Sequence, residues 1–511
     1  MDTLPAEILH VVFSKLTTED IQSMRLVNKR CSDIGAYYLL SEVSFFMSRE
    51  SLERLQWLSQ HPTLSQQVRT IRYQANVLQE ISNPEVFKDY MNVPHDHDRY
   101  PVQPGPSASD REWRLFERNR EKWRFGGEVL STRQLKGRIS SYAQICAAQK
   151  ADIESGIDQR ILAEAIPRFS NLRNMFFTAR PTCCHAYKER YMERFKELAI
   201  TPPTKPNTEF TVSQLSSYLN PLAGTQIRLE VFRAAHVSPE IFQFPKFKGQ
   251  LKAIQPNLAQ VKECVLNFKL DANKTEWLHL DGGPEKCFKV LKPGGLPKLL
   301  ASMPQLRHLS VSFDDCPCST KVPLQQIVGT NRWPNLEDLA LSQFSATEDS
   351  LLKFLVEHVD SLRRVRLSNP VLSRGSWIKV TREMKAQLKL ARAQFTETLR
   401  GSQPHENWDM RSLNIEYTGP FGVGYTTLSE DLNHYITSNG DEEDMDFPDA
   451  MSTTSEDADM SDVGIMSTST NPLEEDSMYV DPSEVDDYDG LPEQLAAIEA
   501  AAEIAEEESY W

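Results

Sequence analysis

Cys183, Cys184 and His185 are consecutive, and Cys316 and Cys318 stand one residue apart. Thiolate and imidazole groups grouped in this way are the ligand types of a zinc site. A structural zinc site needs four ligands, and neither cluster has a partner pair at finger spacing. His95-Asp96-His97 offers two imidazoles and a carboxylate, again without a second cluster nearby. The paired glycines of "DGGPEKC" (281–287) and "KPGGLPK" (292–298) lack the strand-to-helix context of a phosphate cradle, and turns explain them. No Gly-x-Ser-x-Gly elbow, phosphate-binding loop or His-Glu-x-x-His pair is present. The expectation is a chain with no catalytic centre, no metal and no cofactor, which acts by binding and is not an enzyme. Its eight cysteines are read as buried or idle thiols of a reducing cytosol or nucleus.

The binding chemistry is concentrated at the N-terminus, in "LPAEILHVVFSKLTTEDIQSMRLVNKRC" (4–31). Pro5 suits the first turn of a helix. At about 100° per residue Ile8, Leu9, Val12, Phe13 and Leu16 share a broad face, which Val11 widens. The apolar arc is roughly 200° wide, whereas a stripe of roughly 100° seats a helix on one core. Such a helix wants two apolar contacts. Thr17-Thr18-Glu19-Asp20 is a start signal for a second helix, with Ile21, Met24 and Val27 as its apolar face. Asn28 is a cap for a third helix carrying Cys31, Ile34 and Tyr38. Three short helices can share a small core and leave apolar surface for a partner.

The runs Leu4 to Leu9, Val12 to Leu16 and Asp20 to Arg30 resemble the F-box, with Cys31 where that family often has a large aromatic. The resemblance covers about 35 residues of the 511. It implies docking on the Skp-family adaptor of a cullin–RING ubiquitin ligase. The adaptor-binding residues expected from it are Leu4, Pro5, Ile8, Leu9, Val12, Phe13, Leu16, Ile21, Met24 and Val27, with Leu4, Pro5, Ile8 and Phe13 foremost.

Beyond the helical start, Val43, Phe45 and Phe46 read as a strand, Leu52, Leu55 and Leu58 as a helix face ended by His61-Pro62, and Val68, Ile71 and Tyr73 as a second strand. Strand–helix–strand is the module of a parallel sheet. A related pattern returns in "PQLRHLSVS" (304–312), "PNLEDLALS" (334–342) and "DSLRRVRLS" (360–368). Looser copies lie at "SNLRNMFF" (170–177), "AQVKECVLNF" (259–268) and "RSLNIEY" (411–417). Apolar residues three and then two apart mark a strand approached through a turn, the strand core of a leucine-rich repeat. Helices are expected between the copies, at 350–358, at 134–168 and, charged, at 382–400. The repeats are irregular and lack the usual Asn or Cys of the repeat ladder. Arg307, His308, Glu337, Asp338, Arg363 and Arg364 are expected at exposed strand positions, where a solvated face and polar recognition both account for them.

The formal net charge is −16, but 24 of the 72 Asp and Glu fall between Gly440 and Trp511, which has no Lys or Arg. The remainder carries 48 acids against 56 bases, a mildly basic body with an acidic tail. No recognisable nucleic-acid module accompanies the basic excess. No run of about 20 apolar residues spans a membrane, and no secretory signal is visible.

The fold expected is therefore α/β. Residues 1–40 form a three-helix F-box, and 41–435 an irregular leucine-rich-repeat-like solenoid arc with a loop insertion near 92–130 and a surface loop at 201–207. Residues 436–511 form a disordered acidic tail with a candidate terminal helix at 491–508. This resembles fungal F-box proteins. The function implied is substrate recognition in an SCF-type E3 ubiquitin ligase of the cytoplasm or nucleus. Its partners would be the adaptor and a protein target, with neither nucleic acid nor membrane. The alternatives are a repeat-type scaffold capped by F-box-like helices and a transcription-linked protein with an activation-like tail.

Overall fold

The computed structural model describes residues 4–16, 18–39, 41–89, 131–179, 204–205, 208–269, 290–314, 321–403, 406–411, 413–419 and 422–438, with isolated residues between 111 and 116 and at 448 and 451. Nearly all of the expected 92–130 insertion, the clusters at 95–97, 183–185 and 316–318, the 281–287 glycine pair, and the tail with its terminal helix lie outside the described residues. The chain divides into two compact units, Met1–Pro448 and Asp449–Trp511. All elements named here lie in the first.

The architecture is mixed α/β, with helices at the N-terminus: α1 (Ala6–Phe13), α2 (Thr18–Arg25) and α3 (Lys29–Leu39). Among the described residues nine strands then form one sheet. They are β1 (Glu42–Phe46), β2 (Thr70–Gln74), β3 (Asn174–Thr178), β4 (Val231–Val237), β5 (Glu263–Lys269), β6 (His308–Asp314), β7 (Asp338–Ser342), β8 (Arg364–Ser368) and β9 (Arg392–Thr396). Each lies beside the next in chain order, and every neighbouring pair is parallel. A parallel neighbour requires a crossover that carries the chain back to the starting end. Helices such as Arg49–Gln60, Pro245–Leu258 and Glu348–Val356 lie in those crossovers.

The repeated unit has a clear physical basis. Two residues before eight of the nine strands stands a buried aliphatic side chain: Val68, Leu172, Leu229, Val261, Leu306, Leu336, Leu362 and Leu390. From β2 onward the second and fourth residues of each strand are buried, as Leu339 and Leu341 or Val365 and Leu367 are, and the residues between them are less so. A lead residue followed by apolar residues three and two further on therefore seats one strand. Shorter strands at Val322–Pro323, Phe344–Thr347, Val371–Arg374 and Thr398–Arg400 form a second parallel sheet, closed by antiparallel Asn407–Asp409. Single corner residues with positive φ join the two sheets: Gln343 (61°), Asn369 (48°) and Glu397 (67°). The Gln343 and Asn369 amides donate to the Ser368 and Thr396 carbonyls of the following strand.

Three expectations are corrected. Residues 411–417 do not supply a repeat strand: Leu413–Gly419 pairs antiparallel with Gly422–Thr427 in a separate hairpin. The 382–400 segment is not one helix. A helix, Trp377–Gln387, ends inside it, and β9 and Thr398–Arg400 follow, because Leu390, Ala393 and Phe395 reach the sheet core at strand spacing. The 201–207 loop contains Thr204–Lys205, which pairs with Val77–Leu78. The reading of Gly294 and Gly295 as a turn holds for Gly294, whose amide closes a turn on the Leu291 carbonyl, whereas Gly295 opens a helix. Gly294 adopts φ +72° as the cap of helix Gly295–Ala301, and a Cβ on Gly295 would stand 2.7 Å from that of Phe242.

Asp158 and His358 are two of the buried titratable groups among the described residues. Asp158 accepts a hydrogen bond from the Tyr73 hydroxyl at 3.3 Å, and burial pushes its carboxyl above the usual range. His358 is held as the neutral imidazole: the Trp333 amide donates to Nε2 at 3.1 Å, so Nδ1 carries the proton and donates to the Phe354 carbonyl at 2.7 Å. Burial lowers its pKa below the ordinary 6.5. The unfolded chain therefore takes up a proton that the folded one refuses, and stability should fall as pH drops from 6.5 towards the folded value. A His358→Leu variant should be less stable at pH 7.5 by about 1–3 kcal/mol, having orphaned two backbone groups. It should also lose part of the wild-type decline between pH 7.5 and 5.5. Urea unfolding midpoints of both proteins at the two pH values check this.

Candidate functional site

The three N-terminal helices enclose a core of their own. Leu9, Phe13, Ile21, Cys31 and Ile34 are buried together, with Ala6, Leu16, Met24 and Tyr38 packed against them. Tyr38 stacks on Phe13 with ring centroids 6.1 Å apart, and its hydroxyl donates to the His10 carbonyl at 2.9 Å, tying α3 to α1. Asn28 caps α3: its Oδ1 accepts from the Cys31 amide at 2.7 Å, as its position in the sequence predicts. Arg25 donates to the Ser32 carbonyl across the α2–α3 turn. Gly35 lies where these elements meet, and a Cβ there would run into the Arg25 stem and come within 2.9 Å of the Phe13 ring. The sequence reading did not anticipate this close approach.

The wide apolar arc of α1 is split between two uses. Leu9 (1% exposed) and Phe13 (0%) occupy the inner half. Leu4, Ile8 (48%), Val11 (61%) and Val12 remain exposed. Ile8, Val11 and Val12 lie on one stripe of the helix about 100° wide, and Leu4 stands just before the extended cap Pro5. A second exposed apolar point is the α2–α3 turn, with Leu26 (88%) and Val27, and Tyr37 of α3 is also exposed.

Of the residues expected to contact a partner, Leu4, Pro5, Ile8, Val12 and Val27 lie on the surface. Leu9, Phe13 and Ile21 are enclosed, and Leu16 and Met24 are partly buried against them. These five hold the helices together rather than face outward, because a three-helix unit of this size needs its largest side chains for its own core. Val11, Leu26 and Tyr37 were not in the expected set. Val11 was legible in the sequence as part of the over-wide arc. Leu26 was hidden because it falls off the Ile21–Met24–Val27 face.

Residues 1–35 match the F-box domain family. This chain carries an F-box domain. Its F-box supports a role as the adaptor-binding component of an SCF-type ubiquitin ligase and implies binding to a Skp-type adaptor of cullin–RING ligases. No curated protein matches the chain. Among the described residues of this F-box-bearing chain, no group of three or more His, Cys, Asp or Glu could hold a metal. No described helix is long and apolar enough to cross a membrane. Cys31, Cys146 and Cys264 are free thiols, all buried, and burial pushes the Cys146 thiol up to about 11.

Proposed function

We propose that this chain is the target-recruiting subunit of an SCF-type cullin–RING ubiquitin ligase. The F-box docks on the Skp-family adaptor through the outer stripe of α1, with Leu26 and Val27 as a second contact. The observation that carries this reading is the division of α1: one apolar face is used in the F-box core, while Ile8, Val11 and Val12, with Leu4 just before the helix, stay open. Burying such side chains stabilises by about 1.5–3 kcal/mol each, and a monomer gains nothing from leaving them in water.

We read the region from 41 to 435 as a leucine-rich-repeat-like solenoid that grips the target protein. The chain-order parallel sheet, the eight buried lead residues and the positive-φ corners support it. The protein carries out no bond chemistry in this reading. It raises the effective concentration of a target lysine beside the activated ubiquitin. In this reading it works in the cytoplasm or nucleus, and the free thiols of Cys31, Cys146 and Cys264 support that.

The test is co-expression of the full chain with a Skp-family adaptor and a cullin, followed by size-exclusion chromatography. Co-elution of chain and adaptor in equal amounts is the expected result. A folded chain that elutes apart from the adaptor overturns the reading.

A further inference from the structure

The outward face of the nine-stranded sheet carries charges in register, and most of them cancel. Arg72 pairs with Glu42 at 3.0 Å, and Arg233 with Glu263 at 2.6 Å. His308 lies 3.8 Å from Asp338, and Arg364 pairs with the same carboxylate at 2.9 Å. The turns entering the strands do the same: Lys262 meets Glu230, and Arg307 meets Glu337. Each basic residue in these pairs finds its acid on an adjacent strand or turn.

The pattern breaks at β8 and β9. There the ladder partner of Arg364 is Arg392, a like charge directly opposite. Such a pair destabilises a sheet. Arg392 is exposed, and among the described residues its guanidinium has no hydrogen-bond or ion-pair partner. Arg366, two residues beyond Arg364 on the same face, donates to the neutral amide of Gln394 at 3.1 Å. Neighbouring strands are about 4.8 Å apart and alternate residues about 6.6 Å, so the three guanidinium groups start from one small patch. Among the described residues Asp338 is the one carboxylate paired with them. Beside Arg366, the same row of the ladder continues as Ala340, Ser310 and Val265. These small side chains form a floor three strands wide on which an extended chain can lie close to the sheet.

We propose that this face of β8 and β9 binds the carboxylate side chains of an acidic, extended segment of the recruited target, with Arg364, Arg366 and Arg392 as the anion contacts. The inference rests on reading the chain as a target-recruiting subunit. A guanidinium offers a planar fork that matches a carboxylate with two hydrogen bonds. The cost of opposing arginines is offset when anions bridge them. The Ser342 and Ser368 hydroxyls, one step along the strands, face the same side and suit the backbone of the bound segment.

The test uses the full chain and fluorescence anisotropy with two labelled twelve-residue peptides, one alternating glutamate and serine, the other glutamine and serine. A single-stranded DNA dodecamer is the third probe. The glutamate peptide should bind at least tenfold more tightly than the glutamine peptide. An R364Q/R392Q variant should lose at least tenfold in that affinity, whereas R173Q, whose arginine lies on the turn before β3, should lose none. R392Q alone should melt no lower than wild type, because it removes the like-charge pair. Equal binding of the two peptides, an undiminished affinity in R364Q/R392Q, or tighter arginine-dependent binding of the DNA would each overturn the proposal. Adaptor co-elution is measured on the same preparations. Its loss in the wild type would overturn the ligase reading while leaving the peptide result to stand by itself.

Discussion

An Ile8→Glu, Val11→Glu double variant is expected to lose the adaptor at least a hundredfold while its N-terminal helices stay folded. Both side chains are about half or more exposed, and neither belongs to the F-box core. Glutamate has good helix propensity, so α1 is not weakened from within. In a complex the two carboxylates would be buried against an apolar surface without a partner, a cost above that of merely removing a hot spot of about 2 kcal/mol. The neighbouring Leu9→Ala should behave differently. Leu9 is 1% exposed inside the five-residue core, so its truncation should cost about 2–5 kcal/mol of F-box stability. Both variants would fail to capture the adaptor, but only Leu9→Ala should reduce helicity by circular dichroism and expose residues 4–39 to proteolysis. If the double variant retains the adaptor, α1 is not the docking face.

The second large effect is expected at Trp377. Its ring is fully buried, meets Phe395 of β9 at 6.2 Å edge to face, and donates its indole N–H to the Arg400 carbonyl at 2.8 Å. Its backbone amide donates to the buried Glu406 carboxylate at 3.2 Å, which also accepts from the Ser376 hydroxyl. Glu406 thus sits at the N-terminus of helix Trp377–Gln387, where the helix dipole favours a negative charge. One residue therefore fastens a helix, a strand of each sheet and the closing turn. Trp377→Ala should cost about 3–5 kcal/mol, with the Arg400 carbonyl left unpaired in addition. Trp377→Phe should cost less, since the ring remains and only the hydrogen bond is lost. Urea unfolding followed by circular dichroism measures both. Adaptor capture should survive in Trp377→Ala, because the F-box core contains no residue beyond Tyr38. Loss of capture would show that the two regions fold as one.

The sequence alone was sufficient wherever the signal is local. The Leu-Pro start, the over-wide arc of α1, the Asn28 cap and the lead-plus-strand spacing at Leu306, Leu336 and Leu362 all concern residues within one or two helical turns or one strand. Propensity and periodicity act at that range. The repeat at Leu229 escaped notice because "IRLEVFRAAHV" mixes charges with its apolar residues, yet Leu229, Phe232 and Ala234 keep the three-then-two spacing and are all buried. What only the tertiary structure decided is non-local. The arc of α1 had to be divided by α2 and α3 before Leu9 and Phe13 could be told from Ile8 and Val11. Residues 411–417 have the pattern of a repeat strand, but they pair with Gly422–Thr427 in a hairpin, since a strand joins the partner that its neighbours bring alongside. The charges of the outward sheet face could be listed from the sequence but not paired. Register across crossovers of about 25 to 100 residues sets Asp338 beside Arg364 and leaves Arg392 opposite a like charge. Electrostatic energy depends on separation in space, and separation in space is fixed only when the whole sheet has assembled.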